Sequence, residues 1–306
     1  MPTSGRLLVL AVAIGLEAGA GLAAAQVGAA DGLTIRITHR ARALGPGEVV
    51  RIAAHANRPL TAAQGSIFGR TIVMWPTEDR REWQGLVGIS LDAAPGTYEL
   101  TLRAAADGNL TATGTKTLAV EGKPFQTRRI QVAETFANPP AAETARILRD
   151  ARLLADTFAE LRPERLWDGP FTAPVPGAST SSFGRLTVTN GQAGSRHQGA
   201  DFRAADGTPV HAPNAGVVVV AEDLFFAGNT VIIDHGYGLY SLFGHLSRIA
   251  VQPGAHVARG DRVGDAGATG RVTGPHLHWA VRLGEVSIDP FSLMVAVSDD
   301  SADTGR

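Results

Sequence analysis

The alternation of hydrophobic and polar positions predicts strands in the first third of the chain. Between residues 33 and 121, runs such as "LTIRIT", "VVRIA", "TIVMW", "LVGISL", "TYELTL" and "KTLAV" recur, with turn signals at Pro95-Gly96 and Asp107-Gly108. A period of two is typical of strands with one buried face. Six or seven short strands within this length predict an N-terminal β-sandwich of immunoglobulin-like type.

A helical period follows after Asn138-Pro139-Pro140. The segment 141–161 places apolar side chains at steps of three and four residues, at Ile147, Ala151, Leu154, Phe158 and Leu161. This spacing predicts a helix whose apolar stripe packs on one or both neighbouring domains. The prolines before it, and Pro163 after it, suit the entry and exit of such a helix.

Strand signals return between residues 185 and 293. The runs "GVVVVAED", "NTVIIDHG", "LYSLFGHL" and "HLHWAVRL" are separated by glycines and prolines, which predicts a compact all-β domain rich in antiparallel pairs. The chain is therefore predicted to be mostly β. We expect a signal peptide at 1–25, a β-sandwich domain at 26–128, a linker with a helix at 129–168, a C-terminal antiparallel β domain at 169–296 and a polar tail at 297–306.

The amino-terminal segment has the pattern of a secretory signal. Arg6 supplies a positive charge, "LLVLAVAIGL" is a short apolar core, and "LAAAQ" offers small residues for cleavage. Glu17 interrupts the apolar stretch, which makes it short for a bilayer span. We expect an exported protein, periplasmic or secreted, with no stable membrane insertion after cleavage. The alternative is a retained membrane anchor.

Composition narrows the chemistry that the 306 residues can support. Hydrophobic residues make up 44% and charged residues 19%, which is enough for packed cores. The net charge of -1 favours no nucleic-acid partner. There are no cysteines, so disulfides, iron–sulfur clusters and thiol catalysis are excluded. A transition metal would have to be held by His, Asp or Glu.

Seven of the nine histidines lie between His197 and His278. Three residues separate His197 from Asp201, in a glycine-flanked segment that favours a strand or loop. His276 and His278 stand at positions i and i+2 of a predicted strand, so they project to the same face. Two imidazoles and a carboxylate are a plausible zinc ligand set, with a further imidazole free to take a proton from water. Each motif alone is also compatible with a structural role.

Together these motifs resemble the lysostaphin-type (LytM-domain) zinc endopeptidases, which are bacterial peptidoglycan hydrolases. The resemblance rests on "HQGAD", on "FGHL" around His245 and on "TGPHLHW", and it extends with few gaps over residues 180–293. It implies that Zn²⁺ is bound by His197, Asp201 and His278. It implies that His245 and His276 are catalytic, one accepting a proton and the other stabilising charge, without deciding which does which.

The resemblance implies an exported zinc endopeptidase that hydrolyses peptide cross-links, with peptidoglycan peptide stems as its substrate. A protein regulator is a further expected partner. A glycine bridge and a link through a diamino acid both remain possible substrates. Phe243 departs from the family, which commonly has Tyr there, and this could change specificity if the hydroxyl contacts substrate. His211, His235 and His256 are expected to be structural or surface residues, and the alternative for His235 is a contact that orients a metal ligand.

Two alternatives to an enzyme follow from the same features. Some LytM domains lack zinc ligands and activate cell-wall amidases instead, and a wall-binding module dominated by the β-sandwich is a third interpretation. All five expected site positions are occupied by the required residue types in this chain. The sequence therefore favours the enzyme.

Overall fold

The computed structural model describes residues 32–131, 140–177, 179 and 183–298, together with the backbone of Val27–Ala29. The predicted signal peptide at 1–25 and most of the predicted polar tail at 297–306 lie outside the described residues. Strands predominate in the described part of the chain, and the predicted mostly β fold class is confirmed. Neither of the two helices there has the length and apolarity that a membrane crossing needs.

The N-terminal part contains nine strands, which are β1 (Val27–Ala29), β2 (Ile35–Ala41), β3 (Val49–Ala56), β4 (Ala62–Ile67), β5 (Arg70–Ile72), β6 (Met74–Pro76), β7 (Glu82–Gly88), β8 (Gly96–Ala106) and β9 (Leu110–Val120). They form two antiparallel sheets, with the orders β1-β9-β8-β4-β5 and β2-β3-β7-β6. Side chains from both sheets, including Ile52, Leu100 and Leu118, share one buried core. The two layers agree with the predicted sandwich, whose immunoglobulin-like type stays a prediction.

The predicted helix is present as α1 (Ala141–Ala159), but part of its predicted stripe is wrong. Ala151 is exposed, and Leu161 lies beyond the helix and is 55% exposed. The buried residues are Asp150 and Phe158. The Phe158 ring meets the Tyr240 ring edge-on at 5.4 Å, and Asp150 accepts the backbone N–H of Phe225 at 2.7 Å. Because the Asp150 carboxylate is buried to bind the backbone N–H of Phe225, the buried face of α1 differs from the apolar stripe that the sequence predicts.

The C-terminal part contains β10 (Thr127–Ile130), β11 (Leu186–Thr189), β12 (Gln192–Arg196), β13 (Gly199–Phe202), β14 (Pro209–His211), β15 (Gly216–Leu224), β16 (Gly228–Asp234), β17 (Leu239–Ile249), β18 (His256–Val257), β19 (Arg262–Ala266), β20 (Leu277–Leu283), β21 (Val286–Ile288) and α2 (Pro290–Ala296). Nine of these strands form one antiparallel sheet, with the central order β13-β20-β17-β16-β15-β18. A second sheet has the order β10-β11-β12. Strand β10, which includes Arg128, pairs in parallel with β11, and the domain boundary expected after residue 128 stays a prediction.

The two parts share a packed interface. Trp75 and Leu86 of the N-terminal sheets belong to the same buried cluster as Val286 and Ile288. Arg42 bridges the nearly inaccessible carboxylate of Glu48 and the carboxylate of Asp289, with both contacts at 2.7 Å. The N-terminal sandwich is therefore joined to the end of the C-terminal sheet by both apolar packing and ion pairs.

Candidate metal centre and active site

Three of the predicted site residues converge on one point. Nε2 of His197, Oδ1 of Asp201 and Nδ1 of His278 are separated pairwise by 3.0 to 3.1 Å. His197 lies in the link between β12 and β13, Asp201 lies on β13, and His278 lies on β20. This His–Asp–His triangle is the one group of three potential metal ligands found in the described part of the chain.

Strand register explains the convergence. In the antiparallel pair β13–β20, Asp201 lies directly opposite His278, where side chains of one face are neighbours. Leu277 and Trp279, on either side of His278, are fully buried, so the alternation of the strand turns His278 toward the opposite face. Gly199 lies on the same face as Asp201, two residues earlier, and a Cβ there would lie 2.6 Å from Cε1 of His278. The missing side chain leaves room for the imidazole.

The triangle has the size and the donors that a zinc ion requires. Ligand atoms about 2.0–2.1 Å from a tetrahedral zinc lie about 3.3 Å from one another. The observed separations of 3.0 to 3.1 Å are within a few tenths of an ångström of that value. Two imidazole nitrogens and a carboxylate oxygen also match the ligand set of catalytic zinc sites. The residues present therefore fit the metal.

His245 is placed beside the triangle by an irregularity in β17. Its preceding residue, Gly244, pairs with His278 on β20, and His245 itself has a φ of 64°, which is unusual for a residue other than glycine. Its backbone N–H donates to the carbonyl of Ala227 at 2.7 Å. The imidazole centroid lies 5.8 Å from that of His278.

His276 completes a cluster of four imidazoles. It lies just before β20, where its backbone N–H donates to the carbonyl of Gly267. Its ring centroid lies 4.9 Å from that of His245, and its Nε2 lies 3.8 Å from Oδ1 of Asp201. The structure therefore brings all five predicted site residues together.

The hydrogen bonds of His245 and His276 determine which ring nitrogen carries the proton. Nδ1 of His245 lies 3.0 Å from the carbonyl oxygen of Thr269, and Nδ1 of His276 lies 2.9 Å from that of Gly274. A carbonyl oxygen only accepts, so Nδ1 must donate in both rings. In the neutral form each ring then has an unprotonated Nε2 that can accept a proton.

Burial and neighbouring charges shift the pKa values in the cluster. Burial lowers the pKa of His245 to about 3, and the adjacent rings of His278 and His276 add to the effect. Burial also lowers the pKa of His278. Burial alone would raise the pKa of Asp201, but hydrogen bonds from His197 and His278 outweigh it and hold that pKa well below its usual range. A neutral His245 beside an ionised Asp201 follows from these shifts.

The cluster opens into a cleft of about 450 Å³ whose lining is rich in arginine. Among the described residues, the lining contains four arginines and one carboxylate, which are Arg128, Arg185, Arg196, Arg271 and Asp201. The sequence analysis missed these arginines. No local pattern marks them, because they come from strand β10, from the two ends of the β11–β12 hairpin and from the loop before β20.

Two further expectations concern residues outside the cluster. His235 is fully buried, and its ring nitrogens lie 2.7 Å from the carbonyl oxygen of Ala215 and 2.9 Å from Oγ of Ser241. His235 therefore has the structural role expected of it, and the alternative of orienting a metal ligand is wrong, because both ring nitrogens are held within the core. Phe243 is also fully buried, opposite Trp279, so the ring at this position packs in the core.

Comparisons with known proteins agree with this geometry. The sequence profile of Peptidase family M23 matches residues 195–290. A crystal structure of a peptidase M23 candidate from Pseudomonas aeruginosa is 31% identical, with a TM-score of 0.63. The match covers 83% of this chain and 96% of that chain.

Two curated relatives match over shorter stretches. The peptidoglycan DD-endopeptidase ShyA of Vibrio cholerae serotype O1 is 49% identical over 83 residues, which are 27% of this chain and 19% of the relative. The DD-carboxypeptidase/endopeptidase Mpg of Neisseria meningitidis serogroup B is 39% identical over 97 residues, which are 32% of this chain and 22% of the relative. The matched stretch therefore spans about a fifth of each curated relative.

The match with the Pseudomonas aeruginosa structure extends over both parts of the chain, because it covers 83% of the residues. The family profile covers the segment that contains all five clustered site residues. The family predicted from the sequence is confirmed, and the chain belongs to peptidase family M23.

Proposed function

We propose that the chain is an exported zinc-dependent endopeptidase that hydrolyses peptide cross-links of bacterial peptidoglycan. The observation that carries the proposal is the His–Asp–His triangle with two further imidazoles beside it in an open cleft. The names of the relatives ShyA and Mpg support the substrate class, since both describe endopeptidases and the first names peptidoglycan. The signal-like segment at 1–25 supports export.

In this proposal His197, Asp201 and His278 bind the zinc ion. A bound zinc would polarise the scissile carbonyl and lower the pKa of water toward neutrality. The short β13–β20 pairing holds Asp201 and His278 in place, and the absent side chain at Gly199 lets the His278 ring approach. The chain's contribution is thus a rigid ligand set on paired strands.

His245 and His276 move the protons. One accepts a proton from water at Nε2 while the water oxygen joins the carbonyl carbon. As the carbon–nitrogen bond breaks, that proton passes to the leaving amine. The other imidazole, protonated at Nε2 as well as at Nδ1, donates a hydrogen bond to the carbonyl oxygen as negative charge develops on it. The Nδ1 hydrogen bonds to Thr269 and Gly274 orient both rings for this work.

Digestion of purified peptidoglycan by the zinc-loaded protein tests the proposal. The released peptides are identified by mass spectrometry, and zinc is measured in the same preparations. His278→Ala and Asp201→Ala should lose stoichiometric zinc and activity. His245→Ala and His276→Ala should keep zinc but cleave about 10²–10⁴-fold more slowly. The matched control is His256→Ala, because His256 is exposed on β18, outside the cluster.

Three results would count against the proposal. Zinc retained in full by His278→Ala would refute the ligand assignment. Near-normal cleavage by His276→Ala would show that this ring only packs beside a ligand. A zinc-loaded wild-type protein that releases no peptides but stimulates a cell-wall amidase would support the non-catalytic regulator instead.

A further inference from the structure

The charge of the cleft is unbalanced. Its lining, in the part of the chain that the structure describes, has four arginines and one carboxylate, although the whole chain has a net charge of -1. The zinc ion of the proposed function would add further positive charge. A concave surface with one sign of charge focuses the electrostatic potential and attracts ligands of the opposite sign. The cleft is therefore suited to an anionic group.

Arg185 lies closest to the metal ligands. Its Nη2 is 3.9 Å from Oδ2 of Asp201, and its side chain is 22% exposed. Its Nε has no hydrogen-bond partner among the described residues. A group that binds this guanidinium would be adjacent to Asp201 and hence to the scissile bond.

Arg128 and Arg271 add further positive charge to the cleft. Both are exposed and line the cleft, and neither forms an ion pair with a described residue. The Arg271 guanidinium lies 4.6 Å above the ring of Phe226, which fixes its position without neutralising it. Arg196 differs, because it donates to the carbonyl of Gly184 and lies over the ring of Phe125.

We propose that Arg185, Arg271 and Arg128 form a carboxylate-binding subsite. The carboxylate that it binds is carried by the carbon atom attached to the scissile nitrogen. Guanidinium groups match carboxylates in geometry and charge, and the contact between Arg185 and Asp201 places the subsite next to the reacting atoms. This inference rests on the proposed function and deepens it.

The subsite distinguishes the two substrates that the sequence leaves open. The glycines inside a glycine bridge carry no free carboxylate, because each one is consumed in the next amide bond. A diamino acid whose amine is cross-linked can retain a free carboxylate on the adjacent carbon. The C-terminal residue of an uncross-linked peptide presents the same group. The subsite therefore favours the diamino-acid link over the glycine bridge.

Four synthetic peptides test the inference with zinc-loaded full-length protein. The first pair are cross-linked peptides in which the scissile nitrogen belongs to a diamino acid, and the second pair are linear peptides in which it belongs to the C-terminal residue. Each pair contains one free carboxylate and one carboxamide. Measured values of kcat/KM should favour a carboxylate about 10- to 100-fold, the range of a charge-assisted hydrogen bond.

Variants connect the preference to the arginines. Arg271→Gln and Arg185→Gln should slow cleavage of the carboxylate substrate about 10- to 100-fold more than cleavage of the carboxamide substrate. Zinc content is measured in both, because Arg185 lies beside Asp201. Arg103→Gln is the matched control, since Arg103 is exposed on β8 in the N-terminal part and should keep the wild-type preference.

The outcomes separate the inference from the proposed function. A carboxylate preference in either pair, lost in the arginine variants, supports the subsite, and the pair that shows it identifies the source of the carboxylate. Equal rates on carboxylate and carboxamide, or equal slowing of both by the variants, overturn the subsite and leave the proposed function intact. No cleavage of any peptide or of peptidoglycan overturns both.

Discussion

Replacing Gly199 by alanine should disturb the metal centre without removing any ligand. The added Cβ would lie 2.6 Å from Cε1 of His278 and 2.7 Å from the carbonyl oxygen of Trp279. Ordinary contact begins at 3.4 Å, so both neighbours would have to give way, and the His278 ring would have to move by roughly 0.8 Å (3.4 minus 2.6). The Trp279 oxygen belongs to the β13–β20 pair, so its clash strains the pairing of the strands, while the clash with the His278 ring displaces a metal ligand.

The magnitude follows from overpacking and from ligand geometry. Forcing an extra methyl group into a packed site typically lowers the free energy of unfolding by about 1–3 kcal/mol. A zinc ligand has to stay within about 0.2 Å of its ideal distance, so a displaced His278 should also weaken zinc binding. Disturbing the support of a metal ligand typically lowers affinity about 10- to 100-fold.

Gly274→Ala is the matched control. Gly274 lies in the loop before β20, and a Cβ there has no heavy atom within 4 Å. Both variants change the entropy of the unfolded chain in the same way, so their difference isolates the clash. Urea unfolding of the zinc-free proteins measures stability, and competition with a chelating dye measures zinc affinity. Equal stability and equal affinity in the two variants would falsify the argument from register and packing.

Three further predictions test the surrounding structure. Burial lowers the pKa of His235 from an ordinary 6.5 to about 4, so the unfolded chain binds the proton at a higher pH than the folded protein does. The free energy of unfolding should therefore fall by roughly 3 kcal/mol as the pH drops from 6.5 to about 4. His235→Gln should flatten the slope of the free energy of unfolding against pH. Phe158→Ala should lower the free energy of unfolding by about 3 kcal/mol, whereas Leu148→Ala, at a position 64% exposed, should change it by less than about 0.5 kcal/mol. Arg42→Ala leaves the buried Glu48 carboxylate without one of its two ion-pair partners and should lower the free energy of unfolding by about 2–4 kcal/mol; an unchanged urea midpoint would show that this network does not join the two parts.

Short-range pattern predicted most of the strands. The runs around Leu100 and Val231 alternate or stay apolar as their burial requires, and they were assigned correctly. The strand β4, with the sequence "AAQGSI", was not predicted. It has few β-branched residues and little alternation, and it forms a strand because β8 and β5 pair with its two edges.

The helix shows where pattern and packing diverge. Its existence and length follow from its period and from the prolines near its ends. Its buried face does not, because Asp150 is fixed by the backbone N–H of Phe225, a residue 75 positions away. A propensity scale treats that aspartate as a solvent-facing residue, whereas the tertiary contact makes it a buried acceptor.

The sequence by itself determined the mostly β fold class, the family, and the five residues of the metal and imidazole cluster. The fold class follows from two-residue periodicity, which is a local feature, whereas the family and the five residues follow from the resemblance that the short motifs around His197, His245 and His276 carry. Only the tertiary structure decided that Asp201 faces His278 across a strand pair, that the Nδ1 atoms of His245 and His276 donate to carbonyl oxygens, and that the arginines line one cleft. These contacts join segments that lie far apart in the chain. Strand register and the paths of the loops determine the contacts, and the local spacing of residues encodes neither.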